Sequence, residues 1–122
     1  MQILAEDRIA VIGVSRDPEK YGYKVFKDLL EAGYEVLAVN PKAKTILDQP
    51  VYPSLADIPG QVDLVVFVVP PEVAQKVLPQ LEELGIKKAW FQPGSESQAA
   101  LDFCNQHQLE VTSSSCIMLQ RP

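Results

Sequence analysis

At 122 residues, with 47% hydrophobic and 22% charged side chains, the chain has the size and composition of one soluble globular domain, and no apolar run approaches the ~20 residues that a membrane-spanning helix needs. A net charge of −5 works against a nucleic-acid surface, because backbone phosphates are met by a basic field; any lysine or arginine that matters must act locally. The first seven residues carry neither a basic n-region nor a long apolar stretch, so no secretory leader is expected, and with a cytoplasmic address Cys104 and Cys116 are expected as free thiols.

Taken along the chain, the first strong pattern is Arg8-Ile-Ala-Val-Ile-Gly-Val-Ser-Arg16. Its β-branched run over 9–14 reads as a strand buried on both faces. It opens through Gly13 into a loop that reaches Gly22, after which Tyr23, Phe26, Leu29 and Leu30 recur at helical spacing up to Gly33, a residue suited to a left-handed C-cap. A second strand covers 35–39 and ends at Asn40-Pro41-Lys42. The segment 43–59 predicts a turn at Asp48-Gln49-Pro50, then a short edge strand and a single helical turn. The strand at 63–69 is the strongest of all and stops at Pro70-Pro71. Val73, Val77, Leu81 and Leu84 before Gly85 set the second helix, in which Pro79 demands a kink or a later start.

A fourth strand at 89–92, with Trp90 and Phe91 read as core, leads into Pro93-Gly94. Ser95 and Gln98 have the spacing of a capping box for a third helix that carries Ala99, Ala100, Phe103 and Cys104. The last strand, 110–112, precedes Ser113-Ser-Ser-Cys116. Strands alternating with helices imply a parallel sheet with right-handed crossovers. The expected fold over 1–122 is therefore an α/β, Rossmann-like doubly wound sheet in a three-layer αβα arrangement. Its first strand is central, and ligands gather where the carboxyl ends diverge.

Three loops at that edge have residue types suited to a phosphorylated ligand. In the first, Gly13 permits close backbone approach, Ser15 offers a hydroxyl, and the helix opening near Gly22 presents unpaired amides to an anion, with Val14, Arg16 and Lys20 alongside. The spacing is not Gly-x-Gly-x-x-Gly, because Ser15 replaces the second glycine, and no P-loop Gly-Lys-Ser/Thr is present. In the second, Lys42 stands where an NAD site would carry an acid for the ribose hydroxyls. Lysine favours a phosphate, so the ligand expected is a nucleotide with extra phosphate charge, coenzyme A first and NADP as an alternative. In the third, Val69-Pro70-Pro71 forms a stiff apolar wall, and Pro93-Gly94 repeats the logic after the fourth strand. Each loop also has a purely structural reading: a strand-to-helix connection at Gly13 and Gly22, a solvated turn at Lys42, helix initiation at Pro71. Cys116, near the same edge, is within reach of a ligand thiol, although a packed small hydrophobe is the plainer reading and is favoured, with nothing basic but Arg121 close in sequence. Cys104 reads as core and His107 as a boundary residue. No paired carboxylates, metal-ligand spacing or Ser/His/Asp arrangement stands out.

Val-Ile-Gly-Val-Ser, Val-Asn-Pro-Lys, Val-Val-Pro-Pro, Trp-Phe-Gln-Pro-Gly and Ser-Ser-Cys-Ile-Met, in this order, resemble the stand-alone CoA-binding family, whose domain is similar to the N-terminal domain of the succinyl-CoA synthetase alpha subunit. The resemblance runs over nearly the whole chain. It implies phosphate and adenosine contacts from Gly13, Val14, Ser15 and Arg16, a 3′-phosphate contact from Lys42, an apolar lining from Val39, Pro41, Val69 and Pro70, and Pro93 and Gly94 beside the pantetheine. The synthetase's second domain, with its phosphorylated histidine, has no counterpart here, and His107 does not match that histidine. The expectation is a non-catalytic module for CoA or an acyl-CoA, alone, as a homo-oligomer, or beside a separately encoded synthetase partner.

Overall fold

Strand β1 (Arg8–Ile12) lies at the centre of the sheet in the computed structural model, which describes residues 1–122. It is followed by α1 (Tyr21–Glu31), β2 (Glu35–Val39), β3 (Thr45–Ile46), β4 (Gln49–Tyr52), a 3-10 turn (Leu55–Asp57), β5 (Leu64–Phe67), α2 (Pro71–Glu83), β6 (Lys88–Phe91), α3 (Gln98–Gln106), β7 (Glu110–Thr112) and α4 (Ile117–Gln120). The seven strands run in the order β3-β4-β2-β1-β5-β6-β7. All pairings are parallel except that of β3 with β4. The strand order reverses at β1, so β2 and β5 leave the sheet on either side of it and their exits diverge at the carboxyl edge.

The alternation of side chains in β1 divides the core. Ile9 and Val11 face a layer built with Val25, Phe26 and Leu29 of α1 and Ile117 of α4. Ala10 and Ile12 face the opposite layer, with Ala74, Leu78 and Leu81 of α2 and Ala100 and Cys104 of α3. Phe67 and Phe91, from adjacent strands, stack in that second layer with ring centroids 4.9 Å apart. Both faces of β1 and β5 are covered, which is why β5 is apolar throughout and β1 is apolar from Ile9 onward. No helix is long and apolar enough to cross a membrane.

Four local expectations are corrected. Segment 43–59 makes a hairpin, β3 with β4, whose two-residue turn is Leu47-Asp48 at φ 50° and 60°, not a turn at Asp48-Gln49-Pro50. A turn with both central residues at positive φ matches the twist of the flanking strands, and this register seats Ile46 in the core. Of the two alternatives for α2 the later start is excluded, since the helix begins at Pro71 and runs through Pro79. That proline is exposed, so the carbonyl left without a donor can be hydrated. The cap of α3 is Ser97, whose hydroxyl accepts from the Ala100 amide at 3.1 Å. Ser95 is buried and accepts from the Val69 amide at 3.1 Å, which leaves it no part in a capping box. Finally, α4 follows the last strand where no helix was expected. His107 does sit at a boundary, capping α3, stacked on Phe103 and paired with Glu82 at 2.5 Å.

Candidate functional site

At Gly13 the chain leaves β1 with φ +99°, and a Cβ there would stand 2.3 Å from the Val68 carbonyl oxygen and 2.7 Å from Val69 Cγ1. Only glycine lets the exit of β1 pass so close to that of β5. Gly22 is tighter still, since a Cβ would lie 1.9 Å from the Gly13 carbonyl oxygen and 3.3 Å from the Ser15 amide nitrogen. The two glycines thus bring the start of α1 directly onto the loop. That helix end is uncapped: Lys20, at the N-cap, makes no side-chain cap, and no acidic residue stands in the first turn. Its amides keep their attraction for an anion.

Within the loop, Ser15 Oγ accepts from the Asp17 amide and Asp17 Oδ1 from the Glu19 amide, each at 3.0 Å. Asn40 ties the loop to the end of β2: its Nδ2 donates to the Val14 carbonyl and its Oδ1 accepts from the Lys42 amide, both at 2.7 Å. Arg16, Lys20, Lys42 and Lys44 project from this rim, all exposed and none in an ion pair. Pro41 is exposed among them. Val14 and Val39, in contrast, are packed into the two core layers, so what they offer at the edge is backbone.

Beside the rim opens a cleft of about 730 Å³. The exit of β5 (Val68 to Pro71) forms one wall, and the turn after β6 (Gln92 to Ser95) another. Cys116, Met118 and Leu119 close it from the C-terminal side, and Tyr21 stands at the start of α1. Val69 belongs to this wall and also abuts Gly13, so rim and cleft are continuous. The C-terminal wall is latched by side chains from the sheet and α1. Gln92, 4% exposed, accepts from the Ile117 amide at 2.8 Å and donates to Cys116 Sγ at 3.2 Å. Trp90 Nε1 donates to the Ser115 carbonyl at 2.9 Å. Arg121 meets Asp28 through two bonds of 2.7 and 2.9 Å.

The structure therefore groups Gly13, Ser15, Arg16, Lys20, Gly22, Asn40, Pro41 and Lys42 at the rim, and Val69, Pro70, Pro71, Pro93, Gly94 and Cys116 at the cleft. Cys116 is half-buried in the cleft wall, not packed as a core hydrophobe, whereas Cys104 is fully buried and burial pushes its thiol up to about 11. Tyr21, Met118 and Leu119 were missed as site residues. Their signals were an aromatic placed directly before Gly22 and the apolar Ile117-Met118-Leu119 after a run of serines.

Comparison with known proteins gives the site a context. The family model described as CoA binding domain matches residues 7–122. The acetate–CoA ligase [ADP-forming] II subunit alpha of Pyrococcus furiosus is 44% identical over 80 residues, which are 65% of this chain and 18% of the ligase subunit. The chain thus spans less than a fifth of that relative. The Bacillus subtilis protein YneT is 30% identical over 90% of this chain and 82% of its own length. A solved structure of a conserved hypothetical protein from Pyrococcus furiosus superposes with a TM-score of 0.89 at 43% identity, covering 93% of this chain and 98% of that one.

Proposed function

The chain belongs to the CoA binding domain family, and we propose that it binds coenzyme A or an acyl-CoA across the carboxyl edge of its sheet, as a module without its own catalytic step. The phosphates sit on the rim, where the amides of α1 and the cations of Arg16, Lys20 and Lys42 meet them. The pantetheine arm passes Val69 into the cleft. The observation that carries this reading is the contact of Gly22 with Gly13, where a Cβ would lie 1.9 Å from a backbone oxygen. It presses an uncapped helix end onto a loop that opens into an apolar cleft. Calorimetric titration tests it: CoA is expected to saturate the protein at micromolar concentrations while NAD gives no heat. Saturation by NAD or NADP without a response to CoA would replace CoA with a dinucleotide.

The likeness to a ligase alpha subunit favours a second reading, in which the same domain presents CoA to a separately encoded partner that carries the remaining chemistry of an ADP-forming acyl-CoA synthetase. A stable complex isolated with such a subunit from native lysate, active only when both chains are present, would select this reading over the free-standing module.

A further inference from the structure

We propose that the cleft holds the aliphatic chain of an acyl-CoA, so that thioesters with apolar acyl groups bind better than free CoA and better than thioesters ending in a carboxylate. The inference rests on the CoA reading above and names the ligand class within it.

No charged side chain lines the cleft. Its two buried polar side chains are already engaged: both ends of Gln92 are bound to Ile117 and Cys116, and the Ser95 hydroxyl accepts from Val69. A carboxylate at the end of an acyl chain would shed water there and meet no cation, which is costly. An alkyl chain loses nothing polar. Size points the same way. A pantetheine arm of about 18 non-hydrogen atoms, at roughly 20 Å³ each when packed to protein-like density, fills about half of the space, and the cleft measures about 730 Å³. On its C-terminal side the cleft is bordered by Met118 and by Leu119, which is 81% exposed. These apolar surfaces gain by being covered, and their continuity with the Gly13 rim through Val69 makes the far end of the bound ligand their natural cover.

The test compares CoA, acetyl-CoA, hexanoyl-CoA and succinyl-CoA by calorimetry on the full chain, together with Leu119→Asp, a change at an exposed position that the fold tolerates. Full burial of a methylene is worth about fourfold in affinity, and an open cleft captures part of it. Hexanoyl-CoA is expected to bind about tenfold or more tighter than acetyl-CoA, and succinyl-CoA more weakly than either. In Leu119→Asp the hexanoyl-to-acetyl ratio is expected to collapse to about two. Equal affinities for hexanoyl-CoA, acetyl-CoA and CoA would overturn the acyl-chain inference and leave CoA binding intact. Failure of every CoA species would overturn both. Sedimentation without ligand covers the other occupant: a dimer dissolved by Leu119→Asp, with an unchanged acyl ratio, would assign the apolar surface to a second copy of the chain and overturn the inference.

Discussion

The two halves of the carboxyl edge are built by different means. The rim between β1 and β2 is shaped by backbone, through two glycines that let main-chain atoms approach within distances no side chain permits. The cleft between β5 and β6 is shaped by side chains: Gln92, Trp90 and Arg121 reach up to 93 residues along the sequence to hold a four-residue helix in place. A backbone-built surface has no slack, because any Cβ must displace main chain. A side-chain-built surface can lose one bond and keep the rest, so the two halves should fail differently.

The largest effects are therefore expected at the glycines. Gly13→Val adds a branched side chain to a left-handed backbone whose Cβ would already lie 2.3 Å from the Val68 carbonyl oxygen. Strain and overpacking together are expected to cost about 3 kcal/mol or more of stability, and CoA affinity should fall below detection. Gly22→Ala, with no positive φ to satisfy, isolates the steric part, since its Cβ meets the Gly13 carbonyl oxygen at 1.9 Å. At least a hundredfold loss of CoA affinity, measured by calorimetry, is expected in the folded fraction. A Gly22→Ala protein that binds CoA normally would mean that the start of α1 does not hold the phosphates.

Gln92→Leu probes the other half. It strips the acceptor from the Ile117 amide and the donor from Cys116 Sγ, leaving a buried amide without a partner, a loss worth about 2–3 kcal/mol. Chemical denaturation should register that loss, with a fall in melting temperature of about 10 °C. CoA affinity is expected to drop by less than in either glycine variant, because the rim stays intact. A collapse of binding as complete as in Gly22→Ala would show that the cleft and the rim are one cooperative unit.

The same difference explains what the sequence made legible. Dense apolar runs marked β1, β2 and β5, and apolar residues three or four apart marked α1, α2 and α3, because those signals are local and repeated. The position of Gly13 and Lys42 at the carboxyl edge was readable too, since a glycine after a buried strand and a lysine after the next are signals carried by single positions. Helix α4 was not readable: four residues have no periodicity, and what holds them is a set of bonds to Gln92, Trp90 and Asp28 far away in sequence. Ser95 was misread for the same reason, its bond to the Val69 amide spanning 26 residues. The Leu47-Asp48 turn lacks the usual asparagine-glycine pair, so its left-handed residues left no mark.

The two cysteines sharpen the comparison between core and cleft wall. Cys104 has a folded-state pKa raised to about 11 from 9.0 by burial. The unfolded chain therefore gives up this proton first. Stability from the buried thiol is intact below about pH 9 and is lost as pH climbs through the window up to about 11, by at most about 2–3 kcal/mol. Denaturation across that range should fall more steeply for the native chain than for Cys104→Ala; identical slopes would show that the thiol is not sealed. At neutral pH, CoA disulfide is expected to modify Cys116 well ahead of Cys104, read by mass spectrometry, because exchange requires access to the attacking sulfur.

The smallest effect is expected at Lys42, and it is the most discriminating. Its side chain is exposed, with only its backbone fixed, through Asn40, so under the proposed reading its ammonium would meet a ligand phosphate only in solvent-screened contact. Lys42→Ala should weaken CoA by about three- to tenfold, as befits a charge-assisted bond at an exposed rim. 3′-Dephospho-CoA lacks the phosphate that the lysine would meet, and should bind the native and variant proteins alike. The difference for CoA should also shrink at high salt, since exposed charges are screened over about 10 Å at 0.1 M ionic strength. An equal loss for both ligands would move Lys42 from the 3′-phosphate to the pyrophosphate. No loss for either would leave the rim's affinity to backbone alone, the extreme form of the division between its two halves.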